Sequence, residues 1–156
     1  MRNESFDRLT FFQGLDLNHL QALQEIFVPC EYSLGDTLFV QGAPAAYLYL
    51  VAEGEVSIRY KPEDAPEIII THVRPGGVVG WSAALGNECY TSAAICSQDT
   101  RALRASGLEL RRLCSRCPET GEIVLDRLAK VIAERLMHTH EHVLALLKQG
   151  LRDGSS

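Results

Sequence analysis

No stretch of this 156-residue chain approaches the roughly 20 consecutive apolar residues that a membrane-spanning helix needs. The opening Met1-Arg2-Asn3-Glu4-Ser5 also lacks the apolar core of a secretory signal, so a soluble cytoplasmic protein with no membrane partner is expected. A basic surplus is missing as well. The formal net charge of −5 sits in the first 60 residues, where Glu4, Asp7, Asp16, Glu25, Glu31, Asp36, Glu53 and Glu55 face only Arg2, Arg8 and Arg59. Neither that balance nor the few residues after Lys148 suits nucleic-acid binding, and no DNA-binding domain is expected. Cysteine is present in an odd number, five, without a secretory signal, which implies a reducing compartment and no disulfide framework.

Catalytic sets are equally scarce. No serine-histidine-acid or paired-carboxylate constellation can be traced, so neither enzymatic activity nor a cofactor is expected. Cys114-Ser115-Arg116-Cys117 is a single C-x-x-C, which supplies half a tetrahedral metal site or a thiol-exchange pair activated by the following helix start. A redox sensor through Cys114 and Cys117 therefore stands as one alternative function. His138 and His142 lie four apart on one helix face, yet Thr139 occupies the place where a zinc-hydrolase motif requires glutamate. That stretch reads as an exposed polar face, and Cys30, Cys89 and Cys96 read as small buried residues.

What the chain does contain is glycine-punctuated β structure. Tyr32-Ser33-Leu34-Gly35-Asp36 enters a turn, Thr37-Leu38-Phe39-Val40 is a short strand, and Gln41-Gly42-Ala43-Pro44 turns again. Tyr47-Leu48-Tyr49-Leu50-Val51 runs apolar to Glu53-Gly54-Glu55, where Gly54 permits a positive φ, and Val56 to Tyr60 resumes with period two. Lys61 to Pro66 is a polar hairpin loop, Glu67 to Val73 the returning strand, and Thr100 to Ala105 a last strand. Asp16 caps a helix over Leu17 to Ile26. Ser106-Gly107-Leu108-Glu109 is a capping box that opens a short helix through Leu113, and Pro118 with Glu119 opens the final helix.

In order and spacing, Gly35, Gly42, the Tyr47 to Val51 run, and Gly54 with Val56 resemble the cyclic-nucleotide-binding domain of the catabolite activator protein and protein kinase A regulatory subunit superfamily. The resemblance spans roughly Phe11 to Leu136. It implies a mainly β fold with flanking helices, of the α+β class: an antiparallel jelly-roll-like β-roll with N-terminal helices and a long C-terminal helix. The length suits a single domain, 1–156, with the helix and roll core over about 11–115 and the long helix over about 118–149. A cupin metal centre would need clustered strand histidines, and only His72 lies in that region.

In that family a short helix between two strands holds a cyclic phosphate with backbone N–H groups and one arginine, while a glutamate after a glycine binds the ribose. Here Gly80 matches the cassette glycine, but Trp81 stands at the glutamate position and Tyr90 or Thr91 at the arginine position. Loss of one buried partner of a charged group costs about 2 to 5 kcal/mol, or roughly thirtyfold to a few thousandfold in affinity. The resemblance therefore implies a non-enzymatic sensory or regulatory ligand-binding module without tight ordinary cAMP binding; the alternative is a genuine cAMP or cGMP receptor with a divergent cassette. The candidate ligand-binding residues are Gly80, Trp81, Ser82, Ala83, Tyr90, Thr91 and Ser92, whose amides and hydroxyls suit a neutral or weakly anionic small molecule. Arg59, Arg74 and Arg101 are the arginines that could restore anion affinity from elsewhere. Along the last helix Leu125, Leu128, Ile132, Leu136, Thr139, Val143 and Leu146 recur at steps of three and four, so a homodimer with parallel long helices is expected, with Leu128 to Leu146 at its interface.

Overall fold

The computed structural model describes residues 9–153, apart from the side chains of residues 10, 136–140, 142, 143, 146 and 151–153. A 3₁₀ turn at Thr10–Phe12 leads into helix α1, Leu17–Ile26. Asp16 caps it as expected, its carboxylate accepting the His19 N–H at 2.9 Å. Six strands follow: β1 (Phe27–Tyr32), β2 (Thr37–Phe39), β3 (Tyr47–Glu53), β4 (Val56–Tyr60), β5 (Ile68–Val73) and β6 (Val78–Val79). A short helix α2 (Ser82–Leu85) separates these from β7 (Ala93–Cys96) and β8 (Thr100–Ser106), and helices α3 (Gly107–Arg116) and α4 (Pro118–Asp153) close the chain.

The strands form two four-stranded antiparallel sheets, in the orders β1-β8-β3-β6 and β2-β7-β4-β5, which is the expected jelly-roll-like β-roll with flanking helices. The caps at Asp16 and Ser106 stand where the sequence puts them, and α3 runs three residues past Leu113 to Arg116. Three strands carried no clear signal: β1 contains Pro29, β6 is two residues long, and β7 is half alanine. Pro29 is tolerated because β1 is an edge strand and pairs only with β8.

Strand β3 shows why its sequence lacks alternation. Leu48 and Leu50 pack under the helices with Phe11, Phe12, Leu23, Phe27, Leu110 and Val124, while Tyr49 and Val51 face the other sheet beside Phe39, Val56, Ile58 and Val79. Both faces are covered, so both must be apolar. Each such side chain contributes about 1.5 to 3 kcal/mol of burial. The β3–β4 turn depends on Gly54, whose φ is +91° and where a Cβ would lie 2.3 Å from the Asp99 carbonyl oxygen.

The long helix begins inside the molecule and ends outside it. Thr120, Val124 and Leu128 are buried with the α3 residues Leu110 and Leu113, and Gly121 lies so close to α3 that a Cβ would sit 2.7 Å from the Cys114 Cα. This corrects the expected dimer seam at one position: Leu128 is 3% exposed within its own protomer and has no surface to offer a second chain. Leu125 points outward, Ile132 is half-buried, and the side chains of Leu136, Thr139, Val143 and Leu146 lie outside the described residues. Among the cysteines expected to be buried, Cys96 is so, Cys30 is half-buried with its thiol 3.4 Å from the Ala102 carbonyl oxygen, and Cys89 is exposed.

Candidate functional site

The cassette is held against the roll by backbone contacts that require its glycines. At Gly80 the φ is +78° and a Cβ would meet the Tyr47 carbonyl oxygen at 2.8 Å, so the chain leaves β6 pressed on the start of β3. Trp81 precedes the single turn of α2, and the Ala83 N–H closes back on the Gly80 carbonyl at 3.1 Å. The returning segment is clamped to the β2–β3 connection by three bonds: Gly42 N–H to the Tyr90 carbonyl at 2.8 Å, Tyr90 N–H to Ala43 at 2.9 Å, and Ala45 N–H to Glu88 at 2.9 Å. Behind the cassette, Arg111 Nη1 of α3 donates to the Ala83 carbonyl at 3.0 Å.

This arrangement leaves a half-open pocket of about 210 Å3 lined by Phe39, Ile58, Ile70, Gly80, Trp81, Ser82, Tyr90, Thr91, Ser92 and Arg135. Six of the seven expected ligand-binding residues therefore converge on one space. Ala83 does not line it; it is buried on the far side, facing α3. A larger groove of about 370 Å3 beside Glu109, Arg111, Arg112, Ser115 and Arg116 is an open trough on the outer side of α3.

Tyr90 turns out to be a wall rather than a polar contact. Its ring stacks on Phe39 with centroids 3.8 Å apart and planes 12° from parallel. Its hydroxyl accepts the Tyr47 N–H at 2.9 Å and donates to the Tyr47 carbonyl at 2.5 Å, which commits it to the backbone. Burial pushes its pKa up, and burial pushes that of the neighbouring Tyr49 up further. The hydroxyls that remain for a ligand are those of Ser82, Thr91 and Ser92.

The charged residue of the site comes from the long helix. Arg135, seventeen residues into α4, places its guanidinium 4.4 Å from the centre of the Trp81 ring and donates from Nη1 to the Val78 carbonyl at 2.9 Å. A desolvated cation–π contact of this kind is worth up to about 2 kcal/mol. Partial burial lowers the Arg135 pKa, but a guanidinium remains charged at any ordinary pH. The three arginines suggested by sequence are elsewhere: Arg59 binds Ser57 and Glu67 at 3.1 and 3.4 Å, Arg74 lies 3.7 Å from Glu55, and Arg101 lies 3.1 Å from Glu31. A signal for Arg135 did exist. It sits seven residues after the buried Leu128, on the helix face that packs against the roll.

The other candidate chemistry is dispersed. Cys114 is half-buried against Gly121, and Cys117 is exposed at the C-cap of α3. His72 pairs with Glu55 at 3.1 Å on β5, and the His138 and His142 side chains lie outside the described residues. Among the described residues no three His, Cys, Asp or Glu side chains gather as metal ligands, and no helix is long and apolar enough to cross a membrane.

A two-sheet β-roll with a pocket in its wall, a short cassette helix on one side and a long helix at the mouth is the fold of a cyclic nucleotide-binding domain. The family model of the cyclic nucleotide-binding domain matches residues 29–117, and the chain belongs to that family. A CRP-like cAMP-activated global transcriptional regulator of Mycobacterium tuberculosis is 28% identical over 145 residues, which are 93% of this chain and 63% of that protein. The chain thus spans less than two thirds of the length of this curated relative. Among solved structures, a cyclic nucleotide-binding domain from Methylobacillus flagellatus superposes with a TM-score of 0.79 at 20% identity, over 91% of this chain and 80% of the other. The catabolite activator protein of Thermus thermophilus superposes with a TM-score of 0.69 at 27% identity, over 88% and 62%.

Proposed function

We propose that the chain is a non-enzymatic regulatory module of the cytoplasm that has given up tight cAMP and cGMP binding and uses its chamber for a different small molecule. The observation that carries this reading is the pairing of Trp81 with Arg135. An indole occupies the ribose-recognition position, and the long helix already reaches into the site to hold it. A volume of about 210 Å3 also falls below the ~300 Å3 at which pockets for drug-sized ligands begin. Ligand entry would compete with the Arg135 contacts and so report to α4. The proposed second partner is another copy of the chain, paired through the outer half of α4 at Ile132, Leu136, Thr139, Val143 and Leu146. Exposed Leu144 and Leu147, at 43% and 61%, support an apolar surface there.

The competing reading is a working cyclic-nucleotide receptor, favoured by the cAMP-activated relative and by the presence of one arginine in the chamber. Calorimetry with cAMP and cGMP separates the two: dissociation constants in the hundreds of micromolar or weaker are expected, and a submicromolar value for either nucleotide overturns the proposal. Sedimentation equilibrium at tens of micromolar is expected to give a dimer mass that Leu136→Asp with Val143→Asp reduces to a monomer. A monomer for the unaltered chain removes the pairing.

A further inference from the structure

The contents of the chamber narrow the class of molecule it can take. Its walls are apolar and aromatic at Phe39, Ile58, Ile70 and the Tyr90 ring, its hydroxyls are grouped at Ser82, Thr91 and Ser92, and Arg135 is the charged residue among those lining it. The guanidinium carbon lies 4.4 Å from the Trp81 ring centre and Nη1 donates to the Val78 carbonyl at 2.9 Å, so a carboxylate entering the pocket would meet a positive charge that is already held in place. A benzene ring with one carboxylate is of a size with a pocket of about 210 Å3. The same guanidinium would attract a phosphodiester, so the test carries cAMP beside the monocarboxylate.

We infer that the chamber is a receptor site for a compact apolar monocarboxylate, with the carboxylate at Arg135 and the serine and threonine hydroxyls and the hydrocarbon part against Ile58, Ile70 and the Phe39–Tyr90 stack. The inference rests on the reading that cyclic nucleotides are not the ligand. It assigns Arg135 a direct contact with the ligand, so occupancy of the site and the position of α4 become one event. A carboxylate that draws the guanidinium toward itself loosens it from the Val78 carbonyl or from the indole.

Trp81 is the only tryptophan in the chain, so fluorescence under tryptophan-selective excitation reports on this pocket without the five tyrosines. The probes are benzoate, its uncharged isostere benzamide, and cAMP. A saturable change with benzoate is expected, with benzamide at least about tenfold weaker, the factor that one charge-assisted hydrogen bond commands. Arg135→Gln is expected to weaken benzoate by a similar factor and to narrow its margin over benzamide. Arg135→Lys keeps the charge without the fork; it is expected to fall between and serves if the glutamine variant does not fold. No saturable response to benzoate at about 10 mM, equal affinity for benzamide, or indifference of benzoate binding to both Arg135 variants overturns the inference. Submicromolar cAMP binding instead refutes the functional reading beneath it, whatever benzoate does.

Discussion

Replacing Tyr90 with phenylalanine removes a single oxygen and keeps the ring stacked on Phe39, so its effect isolates one device that holds the cassette in place. That oxygen serves both polar groups of Tyr47, accepting its N–H at 2.9 Å and donating to its carbonyl at 2.5 Å. A neutral hydrogen bond contributes about 1 kcal/mol net, and a buried group left without a partner costs roughly 1 to 3 kcal/mol. Tyr47 is 36% exposed, so water can reach part of the vacated peptide and the full penalty does not apply. The expected loss is about 2 kcal/mol for the pair of bonds. For a chain of this length that lowers the thermal midpoint by roughly 4 to 8 °C. Thermal and urea unfolding followed by circular dichroism measure it, with the urea m-value expected to stay constant because the same surface is exposed. A midpoint within about 1 °C of the unaltered protein, at unchanged m, would show that the hydroxyl merely replaces water and that the clamp on Tyr47 is not what positions the cassette.

Two further outcomes follow from burial and backbone geometry. Tyr32, Tyr49 and Tyr90 all have pKa values raised by burial, so the folded state holds their protons after the unfolded chain has released them. Their contribution is complete below the unfolded value near 10 and is lost as pH rises above it. Absorbance at alkaline pH is therefore expected to show these tyrosines ionising together with unfolding, and their free titration in the folded protein at pH 10 would contradict it. Gly54→Ala forces a Cβ to within 2.3 Å of the Asp99 carbonyl oxygen at a φ of +91°, while Gly35→Ala has the same φ and no atom within 4 Å. The Gly35 variant is expected to lose about 1 to 2 kcal/mol in urea unfolding and the Gly54 variant clearly more; equal losses would mean that strain alone, without the close approach, sets the cost.

Legibility of the fold followed the strength of local chemistry. Side-chain oxygens at Asp16 and Ser106 marked helix starts to the residue, because an N-cap is a contact over three residues and needs no tertiary information. Strands β3 and β4 were readable from apolar composition and from the glycine between them. Strand β6 was not, since two valines acquire their meaning only by pairing with Tyr49 and Leu50 of β3. In the site, the cassette residues could be named in order, but whether their polar atoms faced the chamber depended on partners far away in sequence: Tyr47 for Tyr90, and Arg111 for Ala83. Arg135 was hidden for the same reason. A charged residue on a long surface helix resembles its solvated neighbours until the roll supplies the indole and the carbonyl that hold it. The seam pattern misassigned Leu128 because spacing on a helix records which residues share a side and not which neighbour they meet.

The point at which Arg135 fastens α4 also sets a mechanical ratio. Helix α4 has 36 residues, a rod of about 54 Å at 1.5 Å per residue, and Arg135 lies near its middle. The stretch from Pro118 to Leu128 is cemented between α3 and the roll, so the near end is a fixed bearing. The free arm, from Leu128 to Asp153, is about 38 Å long, and Arg135 lies about 10 Å along it. Were the catch at Arg135 to slip and allow a swing of only ~10°, Arg135 would move about 2 Å and the tip about 6.5 Å, more than a full turn of helix. A shift of about two ångströms at the indole is thus geared into a displacement large enough to break or make a helix register with whatever lies alongside.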